Sequence, residues 1–380
     1  MKILMLADSM GRGGTERRLT ELLKVLSAQK QYSIELVIFS DRIEFEELFE
    51  LDITIHTFTR KTKKDFTPAI RLFKLCRKIK PDVVHSWGSM AIMFAIPAKV
   101  WYRPILINSI ITDAPYQMTL RDQRLFRFKL SVPFSDIFLA NSDAGLKAYS
   151  APINRSKVIY NGFDFRRLNN LTPEDLVRRK WQLEDKKVVG MVGAFEPRKD
   201  YETFIRIASS VLSHRQDVVF IAVGGGSRLN EIKENVNPQI KDRMIFTGIT
   251  TEVESIVQLF DIGILLSNRS VHGEGISNSI MEYMALRKPV LANDNGGNKE
   301  IIQNEKTGFI IMDNKVLNWV EKINYLLDNP DVAKRMGQAG FNRVKNYFHI
   351  DLMVETFTDL YSALNNGETS TFRLGSQKQI

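Results

Sequence analysis

At 380 residues the chain is about twice the length of a usual domain, so two domains are expected, each able to bury its own core. Hydrophobic residues at 44% and charged residues at 26% exclude disordered and repeat classes; one cysteine, Cys76, excludes an internal disulfide framework and a cysteine zinc cluster. The net charge of +9 sits almost wholly in residues 1–165, which carry 25 Lys+Arg against 17 Asp+Glu, while the remainder carries 28 against 27.

Residues 1–8, MKILMLAD, turn acidic too early for a secretion signal and read as a buried first strand. The longest apolar run, 90–98, contains Pro97 and is about half of what a bilayer span takes. A cytoplasmic protein, soluble or peripheral on the inner face of the cell membrane, is therefore expected. Five scattered histidines form no His-x3-His or Glu-x2-His pair, so no structural metal is expected.

Short Val- and Ile-rich runs alternate with amphipathic stretches, the pattern of βα units on a parallel sheet. A first series places strands at 2–6, 34–39, 53–57, 82–86, 105–108, 137–140 and 157–160. A second, after the polar and basic segment 164–187, places them at 188–192, 218–223, 244–247, 262–266, 290–292 and 309–311. Helices at about 314–328, 331–346 and 350–364 close the chain, and polar 365–380 reads as a flexible tail. Two such series imply an α/β protein of two doubly wound Rossmann-like domains, 1–165 and 185–348. A linker near 164–185 joins them, and a ligand binds between the carboxyl ends of sheets facing each other across a cleft.

Gly11-Arg-Gly-Gly14-Thr15-Glu16 lies between the first strand and an amphipathic helix starting near Thr15. Glycines let a backbone approach phosphate and a helix start points N–H groups at it, but the spacing misses Gly-x-Gly-x-x-Gly and lowers a dinucleotide reading. Residues 60–80 hold nine basic side chains and one acid, Asp65, with Phe66 and Phe73 among them. Arg121, Arg124, Phe126, Arg127, Phe128 and Lys129 form a second such stretch within 121–129. An anionic membrane surface and a merely solvated basic face account for them equally; no nucleic acid is expected, since no aromatic platform or reading motif accompanies the charge.

His85 ends a strand and reads more readily as a satisfied residue at the edge of the core than as a substrate contact. Thr112 and Asp113 follow the strand at 105–108, where Asp113 serves as an acceptor contact or as a turn cap before Pro115. Asn161-Gly162 signals a turn and hinge. After the first strand of the second series, Gly193-Ala194-Phe-Glu-Pro-Arg198-Lys199 offers two adjacent cations able to neutralise a diphosphate leaving group; a charged surface turn is the competing account.

The densest signal lies at 272–300, where Glu274 and Glu282 are separated by seven residues. If 275–279 opens a helix, Glu274 stands beside its unpaired N–H groups, and Glu282 lies about two turns along, near the same face. Such a helix end suits a diphosphate, and a carboxylate suits sugar or ribose hydroxyls. On spacing alone, a helix-start carboxylate and a solvated helix position explain the pair as well.

The whole string narrows this. Glu274-Gly-Ile-Ser-Asn-Ser-Ile-Met-Glu282-Tyr-Met-Ala285, then Pro289-Val-Leu-Ala292, then Gly296-Gly297 with Glu300, resembles the signature of the GT4-type (group 1) retaining glycosyltransferases of the GT-B superfamily. Gly11 to Glu16 is similar to the family's Gly-Gly-Ala-Glu loop, with Thr15 for alanine. Asn161-Gly162-Phe-Asp164 resembles the turn ending its first domain, and Gly224-Gly-Gly226 its Gly-x-Gly loop. Lys199 falls on the diphosphate lysine, while Ala194 stands where the family carries arginine.

The resemblance implies a GT-B fold with the acceptor taken by the first domain and helix 350–364 returning to it. It places Lys199, Arg198 and Glu274 at the chemistry, and Gly14, Gly193, Ile276, Ser277, Asn278 and Glu282 on the donor, Glu282 at the ribose. The implied donor is a nucleotide-diphosphate sugar, of UDP type, and the acceptor a glycan or lipid-linked hydroxyl, with Thr112 and Asp113 beside it. No metal or other cofactor is implied. Two other readings stay open: a non-catalytic GT-B protein that binds nucleotide or glycan as an assembly partner, and a nucleotide-sugar epimerase.

Overall fold

In the computed structural model, residues 1–367 are described except Arg12, Lys63, Leu120, Glu184 and Asn314; the expected tail falls, from 368 on, outside the described residues. The chain divides into two units. The first comprises Met1–Thr112, Gln117–Gly162 and the stretch from Ile350; the second comprises Asp113–Tyr116 and Phe163–His349.

The first unit carries β1 (Lys2–Ala7), β2 (Ser33–Ile38), β3 (Thr54–Thr57), β4 (Val83–Ser86), β5 (Ile105–Ile111), β6 (Ile137–Ala140) and β7 (Ser156–Val158), all parallel, in the order β3-β2-β1-β4-β5-β6-β7. Alternation along β1 sends Ile3, Met5 and Ala7 to one core and Leu4 and Leu6 to another, so this strand is buried on both faces and reads as one apolar run. On the first of these faces lies the helix Ile350–Asn365, whose Met353, Phe357, Leu360, Tyr361 and Leu364 recur at helical spacing and join the core of β1. Arg18 ties that helix further: its guanidinium lies over Phe357 and Trp87 and donates to the Ile159 carbonyl.

The second unit carries β8 (Lys187–Val192), β9 (Val218–Val223), β10 (Met244–Gly248), β11 (Ile262–Leu265), β12 (Val290–Asn293) and β13 (Gly308–Ile311), in the order β10-β9-β8-β11-β12-β13. Its core gathers Val189, Met191, Phe204, Phe220, Ile264 and Trp319.

Three differences from expectation go beyond a residue or two. β5 runs on to Ile111, because polar Asn108 and Ser109 inside it are satisfied by Ser131 at 2.9 Å and by His85 at 2.6 Å. Asp113, expected in the first domain, groups with the second unit. The segment expected as a linker, 164–185, packs on the second unit: Thr172 receives a bond from Gln258 at 2.6 Å and gives one to Ser255 at 3.0 Å, and Lys180 pairs with Glu252.

The basic stretch 60–80 becomes the helix Thr67–Ile79, packed beside the helix Ser89–Tyr102. Lys61, Lys64, Arg71, Lys74, Arg77 and Lys78 are exposed there. So are Phe66 at 69%, Ile70 at 56%, Val100 at 57% and Trp101 at 73%. Among the described residues no helix is long and apolar enough to cross a membrane.

Candidate active site

In a doubly wound sheet the crossovers leave in opposite directions where the strand order reverses, opening a crevice at the carboxyl ends of the two strands. In the second unit that reversal lies between β8 and β11. Lys199 follows β8 and Glu274 follows β11, and they meet: Lys199 Nζ lies 2.5 Å from Glu274 Oε1, the two residues being 8% and 6% exposed. An isolated antiparallel bridge between Lys199 and Ser267 fixes the lysine backbone, and the Ser267 hydroxyl bonds Glu274 Oε1 as well. His272 Nε2 stands 3.9 Å from Glu274 Oε2.

Burial alone would push the Glu274 carboxyl up. The Lys199 ammonium, His272 and the hydrogen bonds from Lys199 and Ser267 outweigh it and bring the group down to about 2, so it is ionised at neutral pH. His272 moves below the ordinary histidine range, first through burial; Glu274 and Asp113 pull against that, and Lys199 and Arg198 add to it.

The Glu274 backbone is pinned from three sides. It bridges Asp113, its N–H reaches Asn295 Oδ1 at 3.3 Å, and its carbonyl accepts from the Gly297 N–H at 2.8 Å. Gly296 makes this wrap possible: its φ is +52° and a Cβ there would run into the Glu274 carbonyl. Gly224, at φ +138°, lies equally tight against the Gly193 carbonyl, which draws the β9 loop onto the β8 loop.

The helix expected to open within 275–279 does so late in that range, and Glu274 stands ahead of it. The helix starts at Asn278 with Ser277 as its N-cap, and Glu274 belongs to the bridged segment before it, because Lys199 and Ser267 engage its carboxylate. Ile276 and Ser277 are buried just ahead of that helix, Asn278 is half-buried in its first turn, and Glu282 is 6% exposed on it. Glu282 Oε1 accepts from Arg167 at 2.9 Å, and Arg167 also pairs with Glu254.

Arg198 is exposed, and its carbonyl accepts from the Asn268 N–H at 3.0 Å, so of the two expected diphosphate cations only Lys199 is buried in the cluster. Gly193 lies against the Lys199 methylenes. In the first unit the strand order reverses between β1 and β4, and Gly14 opens the helix Gly14–Ser27 directly after β1. Thr112 remains in that unit, its carbonyl accepting from Asn141 at 3.3 Å. His85 is a core residue, bonded at 2.6 Å on each ring nitrogen to Tyr361 and Ser109; burial, then the Arg18 charge, holds it well below the usual range.

Sequence reasoning missed Arg167, Ser267, Asn295 and the place of His272. A signal existed for the first. Glu282 sits in Ile280-Met-Glu-Tyr-Met-Ala285, where apolar neighbours on every side force the carboxylate inward and demand a cation.

Two doubly wound parallel sheets, one with a buried Lys–Glu pair at its reversal point, define a two-unit α/β protein of Rossmann-like type. Two family models match, "Glycosyl transferases group 1" over residues 174–343 and "Glycosyltransferase Family 4" over residues 12–167, and the chain belongs to this GT4-type, group 1 glycosyltransferase family. A "UDP-Gal:alpha-D-GlcNAc-diphosphoundecaprenol alpha-1,3-galactosyltransferase" of Escherichia coli is 27% identical over 314 residues, 78% of this chain and 79% of its own length. A Campylobacter jejuni "N-acetylgalactosamine-N,N'-diacetylbacillosaminyl-diphospho-undecaprenol 4-alpha-N-acetylgalactosaminyltransferase" is 21% identical over 360 residues, 89% of this chain and 93% of its own. Among solved structures, Anabaena HepE in complex with UDP has the same GT-B fold, with a TM-score of 0.82 and 20% identity over 96% of this chain and 100% of that one.

Proposed function

We propose that this chain is a retaining, metal-independent hexosyl- or N-acetylhexosaminyltransferase of cell-surface polysaccharide or glycolipid biosynthesis. It moves a sugar from a UDP-sugar to a hydroxyl of a glycan or lipid-linked acceptor. The observation that carries this is the buried Lys199–Glu274 pair at the β8/β11 reversal, which sets a cation for phosphate beside an anion for sugar hydroxyls. UDP as carrier is supported by HepE, solved with UDP and with UDP-glucose, and by the UDP-Gal in the name of the E. coli relative. Diphosphoundecaprenol-linked acceptors in the names of both relatives support a lipid-linked acceptor.

As the bond between sugar C1 and the phosphate oxygen breaks, charge collects on the diphosphate. Lys199 and Arg198 hold it, with backbone N–H groups of Ile276, Ser277 and Asn278 beside them. Glu274 accepts from hydroxyls of the sugar ring and Glu282 from those of the ribose. A leaving phosphate oxygen takes the proton of the acceptor hydroxyl on the same face of the sugar, where the new C1–O bond forms, so configuration is retained. Purified protein given a panel of nucleotide sugars and acceptors in EDTA should release UDP from one of them, and Glu282→Ala should raise its donor KM about 10- to 100-fold. Turnover that returns only with added divalent ions would refute metal independence. Ala194 removes a cation the resemblance leads one to expect and favours, as a second reading, a non-catalytic donor-binding partner; donor binding with no turnover on any acceptor decides for it.

The surface of 60–80 and 121–129 lies against an anionic membrane in this reading, which puts the enzyme on the cytoplasmic face where lipid-linked acceptors stand. Each basic residue at such a surface contributes about 1 kcal/mol. Exchanging Lys74, Arg77 and Lys78 for glutamine should therefore lower partition onto phosphatidylglycerol vesicles by roughly two orders of magnitude in a flotation assay, with turnover on a water-soluble acceptor unchanged. Equal flotation of the parent and triple variant would remove this surface from the reading.

A further inference from the structure

Arg167 stands in the helical turn Phe165–Leu168, which is fixed at its start. Asp164 caps the Arg166 N–H at 2.9 Å, and Phe165 packs on Phe341 and His349 at 5.6 and 5.3 Å. From that base one nitrogen of Arg167 reaches two acids of different helices, Glu282 at 2.9 Å and Glu254, while the guanidinium lies 5.0 Å over the Phe163 ring. Two carboxylates that meet at one guanidinium nitrogen, largely out of water, repel each other and would turn apart without that shared cation. Burial works against the Arg167 charge, but Glu282 and then Glu254 outweigh it and raise the group further. A planar guanidinium can hold both acids in fixed directions, which a lysine ammonium does less well.

We infer that Arg167 is a positioning residue for the ribose end of the donor, fixing the Glu282 carboxylate so that it accepts from the ribose hydroxyls. This rests on the assignment of Glu282 to the ribose. It adds a component that lies 115 residues away in sequence, in the turn near the start of the second unit's long segment. Arg167 and Glu254 thereby set the preference for a ribonucleotide over its 2′-deoxy counterpart.

The test is titration of the full chain with UDP and with 2′-deoxy-UDP. The parent should bind UDP at least about 10-fold more tightly, the loss expected when a buried carboxylate forfeits a hydroxyl donor. Arg167→Met, which keeps the volume, should weaken UDP about 10-fold, leave 2′-deoxy-UDP within about twofold and so bring the ratio close to one; Arg167→Lys should recover part of it. In turnover, the Arg167→Met donor KM should rise about 10-fold while kcat changes less than about threefold, a split that general loss of folding would not produce. An Arg167→Met chain that keeps the parental ratio overturns the inference and leaves the ribose assignment standing. A parent with no preference overturns the ribose assignment itself, and this inference with it. Should Arg167→Met fail to fold, Glu254→Gln provides the same reading through the second acid: the ratio should fall about threefold or more, and an unchanged ratio counts against the clamp.

Discussion

Replacing Lys199 by alanine is expected to lower turnover roughly 100- to 1,000-fold, the range for removing one preorganised group that stabilises developing charge. It should also destabilise the chain by about 3–5 kcal/mol, the range for stranding one member of a buried ion pair. Two observations set the second figure: both side chains are nearly inaccessible, and the Lys199 ammonium is the strongest influence drawing the Glu274 carboxyl down to about 2. In the parent the folded value lies below the unfolded one of 4.5, so Glu274 adds stability above about pH 5 and that part is lost as the pH falls toward 2. The drop corresponds to roughly 3 kcal/mol. Without Lys199 the strongest influence lowering the Glu274 carboxyl is gone while burial still opposes its charge, so the variant has less pH-dependent stability to lose on acidification. Urea unfolding of both proteins from pH 7.5 to pH 4 should show the gap between them narrowing as pH falls. A constant gap would mean that Glu274 is not the group Lys199 neutralises. Lys199→Met with Glu274→Gln should recover most of the stability and none of the turnover, which separates the two roles.

Much of the fold was legible because buried parallel strands announce themselves as apolar runs: Leu4 and Leu6 fill one core and Ile3 and Met5 the other, so no polar interruption confuses the reading. Where polar residues were buried, the reading stopped short. β5 seemed to end at Asn108 because the partners that make Asn108 and Ser109 acceptable inside, Ser131 and His85, come from elsewhere in the chain. The same limit governed the site. Local spacing placed Glu274 against the helix start, whereas its partners lie 75 residues upstream at Lys199 and 7 upstream at Ser267. Asp113 illustrates it again: the strand just before it belongs to the first sheet, but its bridge to Glu274 sets it with the second unit. Periodicity reports which face of an element is buried; it carries no record of which distant charge meets it there.

Gly296→Ala should lower kcat/KM about 100-fold, the size of effect that follows when a reacting group is misplaced by about 1 Å. A left-handed φ of +52° costs an L-residue roughly 1–2 kcal/mol by itself. The larger consequence is steric, because the new Cβ points at the Glu274 carbonyl and that peptide cannot give way alone. Gly297 holds its oxygen at 2.8 Å, and Asn295 receives its N–H while donating to the His272 carbonyl at 3.0 Å. The strand of backbone therefore moves as one piece, and the Glu274 carboxylate is carried away from Lys199 and Ser267. Gly367→Ala separates strain from collision: φ there is +75°, but nothing lies within reach of a Cβ, so only the left-handed penalty applies and turnover should be unchanged. The ribose end offers the second control. The three atoms nearest a Cβ on Gly296 all belong to Glu274, and Arg167, Glu254 and Glu282 stand on other elements, so UDP should bind Gly296→Ala within about threefold of the parent while turnover collapses. If UDP affinity and turnover fall together, the Gly296 turn supports the whole donor site and not the sugar end alone; if turnover holds within twofold, Glu274 tolerates displacement and its place at the sugar ring is wrong.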